Sequence, residues 1–209
     1  MKKIFTVIIV LIIISVGFWF TKKNNVSVET TTTTYKNSSL NISFNYPKIL
    51  TASTTNGVIV IHHDIAYENK GDCDMMGDEK TYPRLTDFKV TIQKIKMGLI
   101  PTMKDLSPYI PQENFVNNAV VPSPGFIDIF KVGNLDGFAI YEGAEGCGQT
   151  TYYFPIGNNE TLVITKASIQ ILSGVVAKDK MNEVLAVPGV ISKEKSEAIF
   201  DSILETLKI

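Results

Sequence analysis

Arginine is almost missing from this 209-residue chain, which has Arg84 alone and takes the rest of its positive charge from lysine. Planar, two-pronged capture of phosphate or carboxylate is therefore poorly provided for. Histidine occurs only at His62 and His63, and cysteine only at Cys73 and Cys147. There is no His-Glu-x-x-His pair for a catalytic zinc and no Cys-x-x-Cys for a close redox couple. A Gly-x-Ser-x-Gly elbow and a Gly-Lys-Ser/Thr phosphate loop are also lacking, as is a Ser-x-x-Lys in a penicillin-binding setting. A sortase-like site needs Cys, His and Arg, but Cys147 lacks the Thr-Leu-x-Thr-Cys setting. Positive charge is not concentrated either. With the four lysines that flank the apolar start set aside (Lys2, Lys3, Lys22, Lys23), sixteen basic residues face 21 acidic ones. A surface that neutralises nucleic acid needs clustered Lys and Arg, so nucleic acid is excluded as a partner.

What is abundant is apolar length at the start. Ile4 to Phe20 carries no charge and is broken only by Thr6, Ser15 and Gly17. As a helix it reaches roughly 25 Å at ~1.5 Å per residue, and flanking lysines that snorkel extend that toward a ~30 Å hydrocarbon core. A cleaved signal peptide ends its apolar region in a small-x-small pattern. Here the run ends in Gly17-Phe18-Trp19-Phe20, with aromatics suited to a membrane interface. The expectation is a single transmembrane anchor over residues 1–23 that meets the lipid bilayer through residues 4–20. No cysteine precedes Cys73, so a lipidated N-terminal cysteine is not the tether. With two lysines on each side the orientation rule is nearly balanced, and the short N-terminal tail tips it toward the N-terminus inside. Residues 24–37, with five consecutive threonines, read as a solvated stalk.

The remainder, 38–209, reads as one α+β domain outside the cytoplasm. Leu40, Ile42, Phe44 and Tyr46 alternate with polar residues up to Pro47, a strand with one wet face. Asn56-Gly57 marks a hairpin turn before the β-branched Val58-Ile59-Val60-Ile61. Phe88, Val90 and Ile92 alternate with Asp87, Lys89 and Thr91. Met103 to Asn118 is weakly helical and interrupted by Pro108 and Pro111. Four strands, 127–132, 138–142, 150–156 and 161–165, are separated by turn residues and form an antiparallel meander. Ile199, Phe200, Ile203, Leu204 and Leu207 recur at helical spacing behind Ser192, an N-cap candidate. The fold class is an antiparallel sheet with flanking helices, preceded by the transmembrane helix.

Two stretches carry a resemblance. Leu40-Asn41-Ile42-Ser43-Phe44-Asn45-Tyr46-Pro47 resembles the opening strand of PsbP-like exported proteins, with Asn41 where the family often has glycine. Ala198 to Lys208 resembles their last helix and short final strand. The resemblance implies an antiparallel sheet flanked by helices and a protein that supports a larger assembly instead of catalysing. It transfers no functional residue.

Chemistry concentrates in two places. Cys73 and Cys147 each lie in a Gly/Asp/Glu loop, and an even pair in an exported domain reads as a disulfide, with a redox-active pair, free thiols or metal-bound thiols as the alternatives. Joining the loops brings Asp72 and Asp74 toward Glu145, a set of oxygen donors of the kind Ca²⁺ takes, set against a simple solvated acidic rim. The EF-hand pattern fails at Pro83, where a bidentate glutamate belongs. His62-His63-Asp64 is the other place. Adjacent strand residues point to opposite faces, so the two histidines share a metal only if the chain bends, and ordinary strand-end histidines are the plainer reading. No cofactor is expected. The function expected is non-catalytic binding of an envelope protein or polymer; the rival is a cation-binding or hydrolytic exported enzyme built on the acidic Cys loops and His62-His63-Asp64.

Overall fold

The computed structural model describes residues 31–71, 73 and 80–209. The apolar run and the first half of the expected stalk, residues 24–30, lie outside them. Among the described residues no helix is long and apolar enough to cross a membrane.

The chain forms an antiparallel, sheet-rich α+β domain. Seven strands make the main sheet: β3 (Thr51–Thr55), β4 (Val58–Ile65), β5 (Leu85–Ile95), β8 (Ile127–Val132), β9 (Leu135–Glu142), β10 (Gln149–Gly157) and β11 (Glu160–Ala167). Their spatial order is β3-β4-β5-β11-β10-β9-β8, every neighbour antiparallel. The expected meander is β8 to β11. The β3–β4 turn is closed by Asn56 and Gly57, at φ 52° and 77°, the positive pair that a two-residue hairpin loop requires.

Period-2 alternation sorts the central strands onto two cores. Ala139, Tyr152, Phe154, Leu162 and Ile164 face one side, while Ile140, Tyr153 and Val163 face the other. The first face is covered by the hairpin β1 (Thr32–Asn37) and β2 (Ile42–Pro47), and by the long helix at Lys193–Thr206. That helix buries Ile199, Phe200, Ile203 and Leu204, the stripe expected from spacing, and Ser192 caps it by accepting the Lys195 N–H. Beyond it, Lys208 and Ser43 exchange two backbone hydrogen bonds at 2.8 and 3.0 Å, which fastens the chain's end to β2. The second face is covered by helix α1 (Leu99–Leu106), whose Met103 is fully buried. Buried Tyr153 meets Ser107 through its hydroxyl at 2.8 Å, and burial pushes its pKa up to about 12, so the phenol is neutral there. A third, smaller core gathers Ile65, Leu85, Leu172 and Val184, the last from helix α2 (Lys178–Leu185). The helix at Lys193–Thr206 is α3.

The structure departs from the sequence reading in three places. Residues 32–37 are strand β1, not stalk; threonine is polar yet β-branched, so an exposed edge strand and a solvated linker share a composition. The helical stretch expected over 103–118 is broken ahead of Pro108 and Pro111 as expected, but α1 already starts at Leu99 and ends at Leu106, and the chain continues through the 3₁₀ turn Gln112–Asn114 into the two-residue ladder of β6 (Phe115–Val116) and β7 (Ala119–Val120). Helix α2 was not expected, since Val184 is its single buried residue and leaves no apolar period to read.

Gly137 in β9 sits where a Cβ would overlap the Tyr153 carbonyl oxygen and lie 2.8 Å from Phe154 Cδ1, whereas Gly157 has open space on its Cβ side. Gly137→Ala is expected to cost about 3 kcal/mol in urea unfolding, the upper range for overpacking, and Gly157→Ala to stay within about 0.5 kcal/mol of the wild type.

Candidate functional site

The site grows from an irregularity in β5. His63 pairs with Phe88, but Asp64 pairs with Thr86, so Asp87 is an extra residue, a β-bulge. Bulges re-aim a side chain out of the simple alternation. Asp87 and Phe88 are accordingly both buried although adjacent. One Asp87 oxygen lies 2.7 Å from His63 Nδ1, and the other accepts the Ile191 N–H at 2.7 Å. The carboxylate thus ties β4 and β5 to the segment that opens α3.

His62 is separate from this pair. Its Nε2 is 3.6 Å from Asp64 Oδ2, and its buried Nδ1 has no hydrogen-bond partner. Asp64 also accepts the Thr86 hydroxyl at 2.6 Å, and its backbone oxygen accepts Arg84 Nη2 at 2.6 Å. The two histidines therefore engage different carboxylates. Among the described residues no three His, Cys, Asp or Glu side chains gather closely enough to hold a metal. Asp72 and Asp74 lie outside the described residues. Glu145 is exposed, with its backbone oxygen accepting from Gln170 at 3.3 Å.

Two clefts open at this end of the sheet. The first, about 230 Å³, has Asp87 and Ile191 in its wall, with Lys166, Ser168, Ser196 and Glu197 around it. Lys166 is nearly buried, 2.7 Å from Glu197 Oε1 and 5.8 Å above the Phe200 ring. Lys166 is thus paired before any ligand arrives, while exposed Lys193 also lines the cleft. The start of α3 is likewise occupied: Ser192 Oγ takes the Lys195 N–H, and a bond to its own backbone N–H, then one from Ser192, holds the Glu194 carboxyl below the usual range. The second cleft, about 560 Å³ and more open, includes Cys73, Arg84, Lys89 and Gln149. Ala167, Ser168 and Ile169 belong to both walls.

The β9–β10 loop separates them. Gly146 faces the first cleft and Gly148 the second, with half-buried Cys147 between. The loop is closed backbone against backbone: a Cβ at Gly143 would strike the Cys147 carbonyl, and one at Gly148 the Glu142 carbonyl. Gly143, Gly146 and Gly148 all have positive φ, and Glu145 adopts φ 52° despite its side chain. Cys73 is exposed and lines the second cleft, and half-buried Cys147 sits next to Gly148 of the same wall.

No protein-family model and no curated protein matches the chain. A solved structure from Bacteroides thetaiotaomicron is similar at a TM-score of 0.41 and 11% identity, over 84% of this chain. The match spans 47% of that protein's length.

The sequence pointed to His63 but not to its partner. Asp87 falls on the polar side of a regular alternation, and the bulge that buries it leaves no mark in residue type. Lys166 and Glu197, far apart in sequence, gave no signal. Removing the carboxylate strands both the Ile191 N–H and His63: Asp87→Ala is expected to lower stability in urea by about 3 kcal/mol, and Asp87→Asn, which keeps an accepting oxygen, by about half as much.

Proposed function

We propose that the protein is a non-catalytic binding module, held at a membrane by its apolar N-terminal run with the folded part outside the cytoplasm, and that it takes one unit of an envelope polymer in the first cleft. The observation that carries this reading is the paired charge of the cleft's inner wall. There Lys166 is matched by Glu197 and both Asp87 oxygens are engaged, which favours a neutral, hydroxyl- and amide-bearing group over an ion, while exposed Lys193 adds one positive charge at the rim. The serine hydroxyls of Ser168, Ser173 and Ser196 stand beside the apolar Leu172 and Ile191. At about 230 Å³ the space falls below the range for whole small-molecule ligands, and suits a single sugar or amino-acid residue of a longer chain. The PsbP-like resemblance of the two ends also favours a supporting role over catalysis.

One observation favours a hydrolytic reading instead. A buried carboxylate 2.7 Å from an imidazole is the arrangement that orients a histidine as a general base. Among the described residues, however, His63 is bonded to Asp87 and to no hydroxyl or thiol that it would activate.

Full-length protein in detergent micelles, sedimented with insoluble cell-wall polymer, separates the readings. Binding is expected, with about tenfold weaker affinity for Lys166→Met, which keeps the packing on Phe200 but loses the ammonium; that is ~1.4 kcal/mol. No soluble fragment should be released. Fragment release that His63→Gln abolishes establishes the hydrolytic reading in its place, and equal sedimentation of wild type and Lys166→Met removes the first cleft from the binding site.

A further inference from the structure

We propose that the folded part sits on the bilayer with the cleft-bearing end of its sheet turned toward the lipid, touching headgroups through the Pro47–Leu50 turn. This rests on the membrane anchor proposed above.

Strand register fixes which end of the domain the tether reaches. Lys48 N–H donates to the Thr31 carbonyl and Leu50 N–H to the Pro47 carbonyl, each at 3.0 Å, so the chain enters the fold beside the turn that leads into β3. Thr51, the first residue of β3, pairs with His62, and His62 with Lys89. One residue further along β4, His63 reaches Asp87 in the wall of the first cleft. The second cleft, with Arg84, Lys89 and Gln149, opens at that same end. The β3–β4, β8–β9 and β10–β11 turns lie at the other end.

Length then decides the orientation. Seven residues, 24–30, separate Lys23 from Thr31. Fully extended, the chain from Lys23 to Thr31 spans at most about 28 Å, and as a flexible chain ~15 Å. From the row Thr51, His62, Lys89, six residue steps lead along β5 to Ile95, opposite Thr161, and three more lead back from Thr161 to Asn158 in the β10–β11 turn. At ~3.3 Å per step that distance is roughly 30 Å. An inverted head would hold Thr31 at that height, past the full extension of the tether and about twice its relaxed length.

The turn at the entry point also has the chemistry of a lipid contact. Lys48 and Ile49 are exposed side by side, Ile49 at 40%, between buried Pro47 and Leu50, so a basic and an apolar group project from a turn held on both sides. Lys22 and Lys23 add positive charge just across the tether, and anionic headgroups attract such juxtamembrane lysines. With this end down, both clefts open toward the bilayer, and the polymer unit taken by the first cleft is one that lies next to the membrane.

The test reconstitutes the full-length chain in vesicles of phosphatidylcholine and phosphatidylglycerol. A fluorophore is placed on a single cysteine, introduced by Ile49→Cys or Asn158→Cys in a Cys73→Ser, Cys147→Ser background. Nitroxide-labelled headgroups are expected to quench the label at position 49 and leave the label at position 158 bright. The unaltered chain gives a second reading that needs no cysteine replacement: acylation of Lys48, read by mass spectrometry, should be slower in vesicles than in detergent micelles, and that of Lys131, beside the β8–β9 turn, equal in both. Quenching at 158 instead of 49, quenching at neither position, or equal acylation of Lys48 in both settings overturns the proposal. Flotation separates this from the reading beneath it. A chain that does not float with the vesicles removes the anchor itself, while one that floats with the label at 49 unquenched removes only the orientation.

Discussion

The carboxylate of Asp87 is the point on which this end of the domain depends. It is fully buried, and a buried charge is tolerated only where hydrogen bonds replace the water it has lost. Here both oxygens are taken, one beside His63 of β4 and one on the Ile191 N–H ahead of α3. Three pieces of chain distant in sequence are thereby set against each other. The first cleft lies in the gap that this junction leaves, so its wall inherits the position of α3. The bulge in β5 is the device that makes this possible, because a regular strand would have turned Asp87 to the face where the sequence places it.

A second constraint acts from the opposite wall. The Gly143–Gly148 loop approaches its own backbone too closely for side chains at Gly143 and Gly148, and its Gly146 presses against Ser173. Glycine here does not loosen the chain. It permits a close contact that then immobilises the loop, and Cys147 is presented from a fixed frame. Asp87 fixes the helix side and the glycines fix the hairpin side. Lys166 joins the two through β11, with its ammonium on Glu197 of α3.

Much of the fold could be read from residue order because it rests on local, periodic signals. Asn56-Gly57 specifies its own turn, Ile199 to Leu204 their own stripe, and the β8–β11 meander is spaced by turn residues a few positions long. The misreadings occur where two structures share one composition. Threonine-rich β1 and a solvated linker look alike, and α2 offers one buried valine where a helix usually offers a stripe. The candidate site was only half legible for a different reason. Histidine and cysteine announce themselves by rarity, which led to His63, Cys73 and Cys147. Asp87, Lys166 and Glu197 are common residue types whose importance comes from burial and long-range pairing, and those are properties of the tertiary fold.

The same distinction bears on what the site does. Catalysis by a histidine needs its free nitrogen aimed at a reacting group, and positioning by a carboxylate is worth little without that group. His63 has the carboxylate, and among the described residues it has no nucleophile bonded to it. The Asp87–His63 pair is a satisfied polar junction that ties β4 and β5 to the segment that opens α3. The cleft is bounded by that junction, by the closely packed glycine loop and by the Lys166–Glu197 pair, with exposed Lys193 at its rim. The binding proposal rests on these walls and on the mixed hydroxyl and apolar lining, since a surface already in place loses less entropy when a ligand arrives.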